Sequence, residues 1–146
     1  MQGKKTLSLG TARWIVLAMY IGGLVVYPIV GALAGDRPSA EPELTRVLPF
    51  VFLGVSVMGY VFSLVLERTL VAQARKTKSE MTAAQAAIVS GAFGESFAIF
   101  GLVLTFAGVG NWALPFYVLC FVHGVHLLVR WPSLESAVSS ESYETE

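Results

Sequence analysis

Four long apolar stretches constrain the fold of this chain more than any other feature of its sequence. Glu95 is the one charged residue well inside any of them. Because a helix needs about 20 apolar residues to cross about 30 Å of hydrocarbon, each stretch is long enough to span a membrane. Only helices or closed barrels satisfy their backbone groups in lipid, and four segments cannot close a barrel. We therefore predict an all-α, integral membrane four-helix bundle over residues 1–132, with helices at about 14–34, 47–66, 82–108 and 112–130.

The composition supports this fold class and excludes others. Of the 146 residues, 55% are hydrophobic and 14% are charged, whereas a soluble domain carries about 25% charged residues. The chain is therefore neither a disordered protein nor a nucleic-acid binder. Pro132 is predicted to end the last helix, and residues 133–146, rich in Ser and Glu, are predicted to form a flexible acidic tail in the cytoplasm. A cleaved signal peptide is the competing interpretation of residues 14–34, although a signal's apolar core usually has about 7–15 residues.

The basic residues orient the predicted bundle. Eight Lys and Arg lie at the two termini and between the second and third helices, against two between the first and second. Cytoplasmic loops carry the excess of Lys and Arg, so we expect a multi-pass protein of the cell membrane with both termini cytoplasmic. Trp14, Trp112 and Trp131 stand at the ends of the stretches, where indoles anchor at the headgroup level.

The third helix carries a stripe of small residues. Such a stripe allows another helix backbone to approach closely, which is how helices associate in lipid. At 100° per residue, Glu95 projects about opposite a bulky aromatic face and beside this stripe, so we expect its carboxyl group to avoid lipid. The stripe, predicted to pack against other helices, comprises Ala84, Ala87, Gly91, Gly94, Ala98, Gly101, Thr105 and Gly108.

Glu95 is the residue that points most directly to function. It falls near the middle of a spanning helix, and intramembrane acids usually mark ion paths, proton relays or buried contacts. A low-dielectric surrounding favours the neutral carboxyl form, which makes Glu95 a candidate for reversible proton binding. The competing hypothesis is a protonated Glu95 that hydrogen-bonds to a neighbouring helix and has a structural role only.

Two histidines on the fourth helix extend the candidate site. An antiparallel hairpin centred near Gly110 brings position 95 level with about position 124, so one hypothesis is that His123 contacts Glu95. The competing hypothesis is that a backbone carbonyl or a hydroxyl group satisfies His123. His126 lies one turn nearer the cytoplasm and extends a relay toward Arg130. Both histidines stand on one helix, so a single chain cannot hold a haem iron from two faces. Glu95 with the two histidines has no known zinc spacing. We therefore expect neither a metal nor another cofactor.

The residues around Glu95 resemble a known family. The stretch AIVSGAFGESFAIFGLVL, residues 87–104, is similar to the carboxylate-bearing helix of the proteolipid, or c-type, ring subunit of rotary ATPases. Arg75 stands where that family places an Arg in a cytoplasmic polar loop, so the resemblance covers about residues 75–104. It implies that Glu95 is an ion-binding carboxylate, protonated and deprotonated as a ring of subunits turns.

Two functional hypotheses follow. The first is a small membrane subunit, similar to a ring subunit, whose carboxylate binds or relays a proton or cation with help from His123 and His126. The second is a non-catalytic structural or assembly subunit that uses the small-residue stripe to dock helices of a larger complex. In both cases we expect lipid and protein partners, either copies of the chain or a membrane complex, and no nucleic acid. The sequence contains no nucleophile or phosphate loop, so an enzyme acting alone is not expected.

Overall fold

The computed structural model describes residues 7–34 and 42–139, and these residues form helices and short turns without a strand. Four helices are long and apolar enough to cross a membrane. The prediction of an all-helical chain with four long apolar helices is thus confirmed. The basic residues Lys4, Lys5 and Arg37 and residues 140–146 of the predicted tail lie outside the described ranges. The helices are α1 (Leu9–Leu33), α2 (Pro42–Thr77), α3 (Glu80–Phe106) and α4 (Ala113–Ser139).

Two helices extend beyond their predicted C-terminal ends. Helix α2 continues past residue 66 to Thr77 because Val71 and Ala74 still pack into the core. Helix α4 continues through Pro132 to Ser139, with Leu134 and Ala137 buried. The predicted end of α4 at residue 130 is therefore wrong, and residues 133–139 belong to the helix. Buried apolar contacts on both sides of Pro132 compensate for the one backbone hydrogen bond that proline removes.

Helix α1 contains a widened π-helical turn over Gly22–Val26. Tyr27 closes this turn by donating its backbone N–H to the carbonyl of Gly22. Pro28 follows directly and has no N–H to donate to the preceding turn, so the irregularity lies beside a residue type that kinks helices. A Cβ added at Gly23 would lie 2.9 Å from Cβ of Ala98. The π turn therefore holds the backbone of α1 close against α3.

Helix α3 is at the centre of the bundle and packs against the three other helices. The small-residue stripe faces inward, since Ala84, Ala87, Gly91, Gly94, Ala98 and Gly101 are all buried. Side chains of α1 and α4 cover it: Val16 lies over Gly91, and Tyr117 lies over Gly101. The stripe is thus occupied by helices of the same chain.

A short turn joins α3 to α4. Helix α3 ends at Phe106, so the prediction of Gly108 as a helical stripe residue is wrong. Gly108 instead adopts a φ of 77°, a left-handed conformation that favours glycine. The backbone N–H of Val109 donates to the carbonyl of Leu104, and a 3₁₀ turn over Gly110–Trp112 leads into α4. The tight connection makes α3 and α4 an antiparallel hairpin, as predicted from the sequence.

Candidate functional site

Glu95 lies on α3 and faces the π turn of α1. Its side chain is half-buried, and Oε1 accepts a hydrogen bond from the hydroxyl of Tyr27 at 2.8 Å. A Cβ added at Gly22 would lie 3.9 Å from the same oxygen, so this glycine leaves room beside the carboxyl group. Glu95 is therefore held by a neutral donor at the edge of the bundle, next to an irregular turn of a kind frequent at functional sites.

His123 lies on α4 and is fully buried. The hydroxyl of Tyr20 on α1 is 2.6 Å from Nδ1, and the hydroxyl of Ser63 on α2 is 3.1 Å from Nε2. Ser63 donates its only hydroxyl hydrogen to the backbone carbonyl of Tyr60 at 2.9 Å. Its oxygen must then accept from Nε2–H, which leaves Nδ1 to accept from Tyr20. This assignment satisfies every group with a neutral imidazole and ties three helices together.

Two glycines form the slot that holds Tyr20. A Cβ added at Gly94 would overlap the phenolic oxygen and lie 2.8 Å from Cε1 and from Cζ of Tyr20. A Cβ added at Gly124 would lie 3.0 Å from Cδ1 on the other side. The ring is thus enclosed between α3 and α4, and its hydroxyl is directed at His123. The small residue at position 94 is needed for this polar contact as much as for helix packing.

The predicted hydrogen bond between Glu95 and His123 is not formed. Both ring nitrogens of His123 are engaged by Tyr20 and Ser63, while Glu95 accepts from Tyr27. The prediction used helix register alone, and it placed the two residues at the same depth. Successive residues of a helix point about 100° apart, so Gly94 faces Tyr20 whereas Glu95 is turned toward the π turn.

Glu67 is a buried carboxylate that sequence reasoning missed. It is 3% exposed, and Oε1 accepts from Nε of Arg130 at 3.3 Å. Nε2 of His126 lies 3.8 Å from Oε2, and the hydroxyl of Ser90 lies 3.5 Å from the same oxygen. The relay proposed from His126 toward Arg130 therefore has Glu67 between the two residues, and His126 does not lie beside Glu95.

A polar stripe on α2 was the sequence signal for Glu67. Ser56, Tyr60, Ser63 and Glu67 follow steps of four, three and four, which place them on one helix face. Ser56, Ser63 and Glu67 are buried. Assigning the end of the apolar stretch to residue 66 placed Glu67 in a loop. Helical periodicity continued across that boundary would have placed it on the inner face.

The inner polar groups form a column through the bundle. Arg130, Glu67 and His126 make its outer layer, and the rings of His126 and His123 have centroids 6.4 Å apart. Tyr20 and Tyr27 are seven residues apart on α1, which corresponds to about 10 Å along the helix. The column thus approaches the Glu95 site, with no described hydrogen bond between Tyr20 and Tyr27. Series of titratable groups of this kind occur in the proton relays of membrane pumps and transporters.

Arg75, the predicted polar-loop residue, lies apart from this column. Arg75 is exposed in the last turns of α2, so the segment expected to be a polar loop is helical as far as Thr77. Among residues 7–34 and 42–139, no cluster of three His, Cys, Asp or Glu side chains has a metal-binding arrangement.

No family model, curated protein or solved structure matches this chain.

Proposed function

We propose that the chain is a multi-pass protein of the cell membrane whose Glu95 carboxyl group binds and releases a proton. The observation that carries the proposal is the hydrogen bond from Tyr27 to Glu95 beside the π turn of α1. A carboxyl group in the middle of a spanning helix is costly when charged, and its neutral form is favoured. The hydroxyl of Tyr27 supplies the carboxyl group with one hydrogen bond, and this neutral partner supports a role in proton exchange.

The half-buried position of Glu95 supports exchange rather than a fixed structural role. A carboxyl group that serves only to join helices is best enclosed by several partners, as Glu67 is by Arg130 and His126. Glu95 instead has one hydrogen-bonding partner described and remains accessible at the edge of the bundle. A proton donor or acceptor on a neighbouring subunit can therefore reach it.

The proposed orientation places both termini in the cytoplasm. Arg68, Arg75 and Lys76 lie exposed at one end of α2, and Arg46 lies at the other end. This asymmetry favours the first end as the cytoplasmic one. Trp14 and Trp112 are 72% and 41% exposed, as headgroup anchors should be. Trp131 is different, because its indole is buried and donates to Glu135, so it contributes to packing.

The resemblance to ring subunits supports the same assignment of Glu95. We propose that the chain works as a homo-oligomer or as a subunit of a membrane complex, in which a partner exchanges the proton with Glu95. The alternative is a passive assembly subunit that docks partner helices on the small-residue stripe, and the packing of the chain favours it less. The small-residue stripe that would dock a partner helix is covered by α1 and α4 of the same chain.

Proton flux into vesicles that contain the reconstituted chain and its copurifying partners tests this function. Glu95→Gln keeps size and hydrogen-bonding capacity but cannot titrate, so it should abolish the flux while the protein still folds. Glu80→Gln is a matched control, because Glu80 is exposed at the start of the same helix and a glutamine oxygen can still accept the hydrogen bond from the backbone N–H of Leu9. Wild-type flux in the Glu95→Gln variant would refute the proposal.

A carbodiimide that reacts with protonated membrane carboxyl groups gives a test that needs no partner. Modification of Glu95 should be faster at low pH than at high pH. Tyr27→Phe removes the described donor to Glu95, which favours the protonated form, so this variant should react faster than wild type. Tyr117→Phe removes a hydroxyl elsewhere in the bundle and should leave the rate unchanged. A rate independent of pH would show that Glu95 does not exchange protons.

A further inference from the structure

A groove between α1 and α4 opens on the outer surface of the bundle. It has a volume of about 220 Å³. Its floor is formed by the ring of Tyr20 and the bare backbone of Gly124, and its walls include Leu17 and Leu128, which are 41% and 59% exposed. Because Gly124 has no side chain, the ring of Tyr20 lies directly against α4 at the bottom of the groove.

The groove has one charged end. Arg13 lines it at the level of Trp131, with the guanidinium carbon 6.0 Å from the centre of the indole ring. Arg13 is exposed, and among the described residues no carboxylate forms an ion pair with it. The hydroxyl of Tyr20 is directed away from the groove toward His123. The groove therefore offers one cation at its end and an apolar surface along the rest of its length.

The length of the groove matches one leaflet of a bilayer. It extends along α1 from Arg13 to Leu24, which at a rise of about 1.5 Å per residue is about 16 Å. Half of a hydrocarbon core of about 30 Å is about 15 Å. Arg13 thus falls at the level of the phosphates when Leu24 reaches the centre of the membrane.

We propose that this groove is a binding site for one phospholipid with an anionic headgroup. An acyl chain occupies the surface between Leu17 and Leu128, and the headgroup phosphate pairs with Arg13. The complementarity is specific to an amphiphile that is negative at one end and apolar for the thickness of one leaflet. Basic pockets between membrane helices on the cytoplasmic side recognise acidic lipids by the same chemistry. The site does not involve Glu95 and is independent of the proposed proton binding.

Retention of lipid by the full chain tests the site. The protein is reconstituted in nanodiscs of equal parts phosphatidylglycerol and phosphatidylcholine, transferred to mild detergent, and weighed by native mass spectrometry. Wild type should retain one phosphatidylglycerol, in about fivefold excess over phosphatidylcholine, the preference expected for one basic residue at the surface. Arg13→Gln should remove this preference. Arg68→Gln, a change of an exposed cation on α2, should preserve it.

Filling the groove separates acyl-chain binding from charge. Leu128→Trp should abolish retention of either lipid, whereas Val129→Trp, at a neighbouring position that does not line the groove, should leave it unchanged. If Leu128→Trp does not fold, Leu17→Trp on the opposite wall takes its place. The proposal is overturned if the wall variants retain lipid as wild type does, or if Arg68→Gln reduces the preference as much as Arg13→Gln. Retention of both lipids in equal amounts by wild type would also overturn it.

Discussion

Replacing Gly94 with alanine tests whether the Tyr20 slot organises the bundle. The added Cβ would overlap the phenolic oxygen of Tyr20 and lie 2.8 Å from two ring carbons. Movement of the ring toward α4 is limited by Gly124, where a Cβ would already lie 3.0 Å from Cδ1 of Tyr20. Overpacking of this kind costs about 1–3 kcal/mol, and the gain in helix propensity offsets about 0.5–1 kcal/mol of it. We expect Gly94→Ala to lower the free energy of unfolding by about 1–2 kcal/mol.

Gly54 provides the matched control for this substitution. It lies on α2, and a Cβ added there meets no atom within 4 Å. Gly54→Ala should therefore leave stability unchanged or raise it slightly. Both free energies are measured by reversible unfolding in mixed micelles as the fraction of denaturing detergent is raised. Equal stabilities of the two alanine variants would refute the account of the slot.

A double-mutant cycle with Tyr20→Phe identifies the atom responsible. The nearest atom to a Cβ at Gly94 is the phenolic oxygen, whereas the nearest atoms to one at Gly124 are ring carbons. Removing the hydroxyl should therefore reduce the cost of Gly94→Ala by at least about 0.5 kcal/mol, a coupling typical of contacting residues. The cost of Gly124→Ala should not change. Equal coupling at the two glycines would show that the slot does not fix the hydroxyl at His123.

Two further predictions concern the ion pair and the topology. Glu67→Gln should destabilise the protein by about 1–3 kcal/mol, less than the loss of a fully buried ion pair, because Arg130 is 38% exposed. The double variant Glu67→Leu with Arg130→Met should recover much of this stability. An unfolding titration that finds Glu67→Gln as stable as Glu135→Gln would contradict the prediction. In a Cys120→Ala background, an impermeant thiol reagent applied to intact cells should label Ser39→Cys but not Thr77→Cys or Ser139→Cys. Labelling at position 77 would reverse the orientation.

The helices were readable from the sequence because each follows from a local property. Long apolar stretches need no tertiary information, and the turn near Gly110 follows from residue type. The C-terminal ends of α2 and α4 could not be predicted from such local properties. Both helices continue where buried side chains, such as Val71 and Leu134, contact other helices, and hydropathy averaged along the chain does not detect that contact.

The sequence identified two residues of the candidate site, Glu95 and His123, but not their hydrogen-bond partners. Glu95 and His123 stand out as polar residues in apolar stretches, but their partners depend on how four helices are rotated about their axes. Tyr20 and Tyr27, the partners found, are amphipathic residues that do not break an apolar pattern. The π turn at Gly22 also shifts the register of α1 by one residue, which simple helical periodicity does not include.

Infrared titration of the membrane-embedded protein tests the central claim most directly. A protonated carboxyl group has a carbonyl stretching band that disappears on ionisation, and Glu95→Gln identifies the part of the signal that belongs to Glu95. The account predicts a band that is lost on raising the pH, regained on lowering it, and missing from the variant. A Glu95 band that stays constant across the titration, or no difference between wild type and Glu95→Gln, would contradict reversible proton binding at this residue.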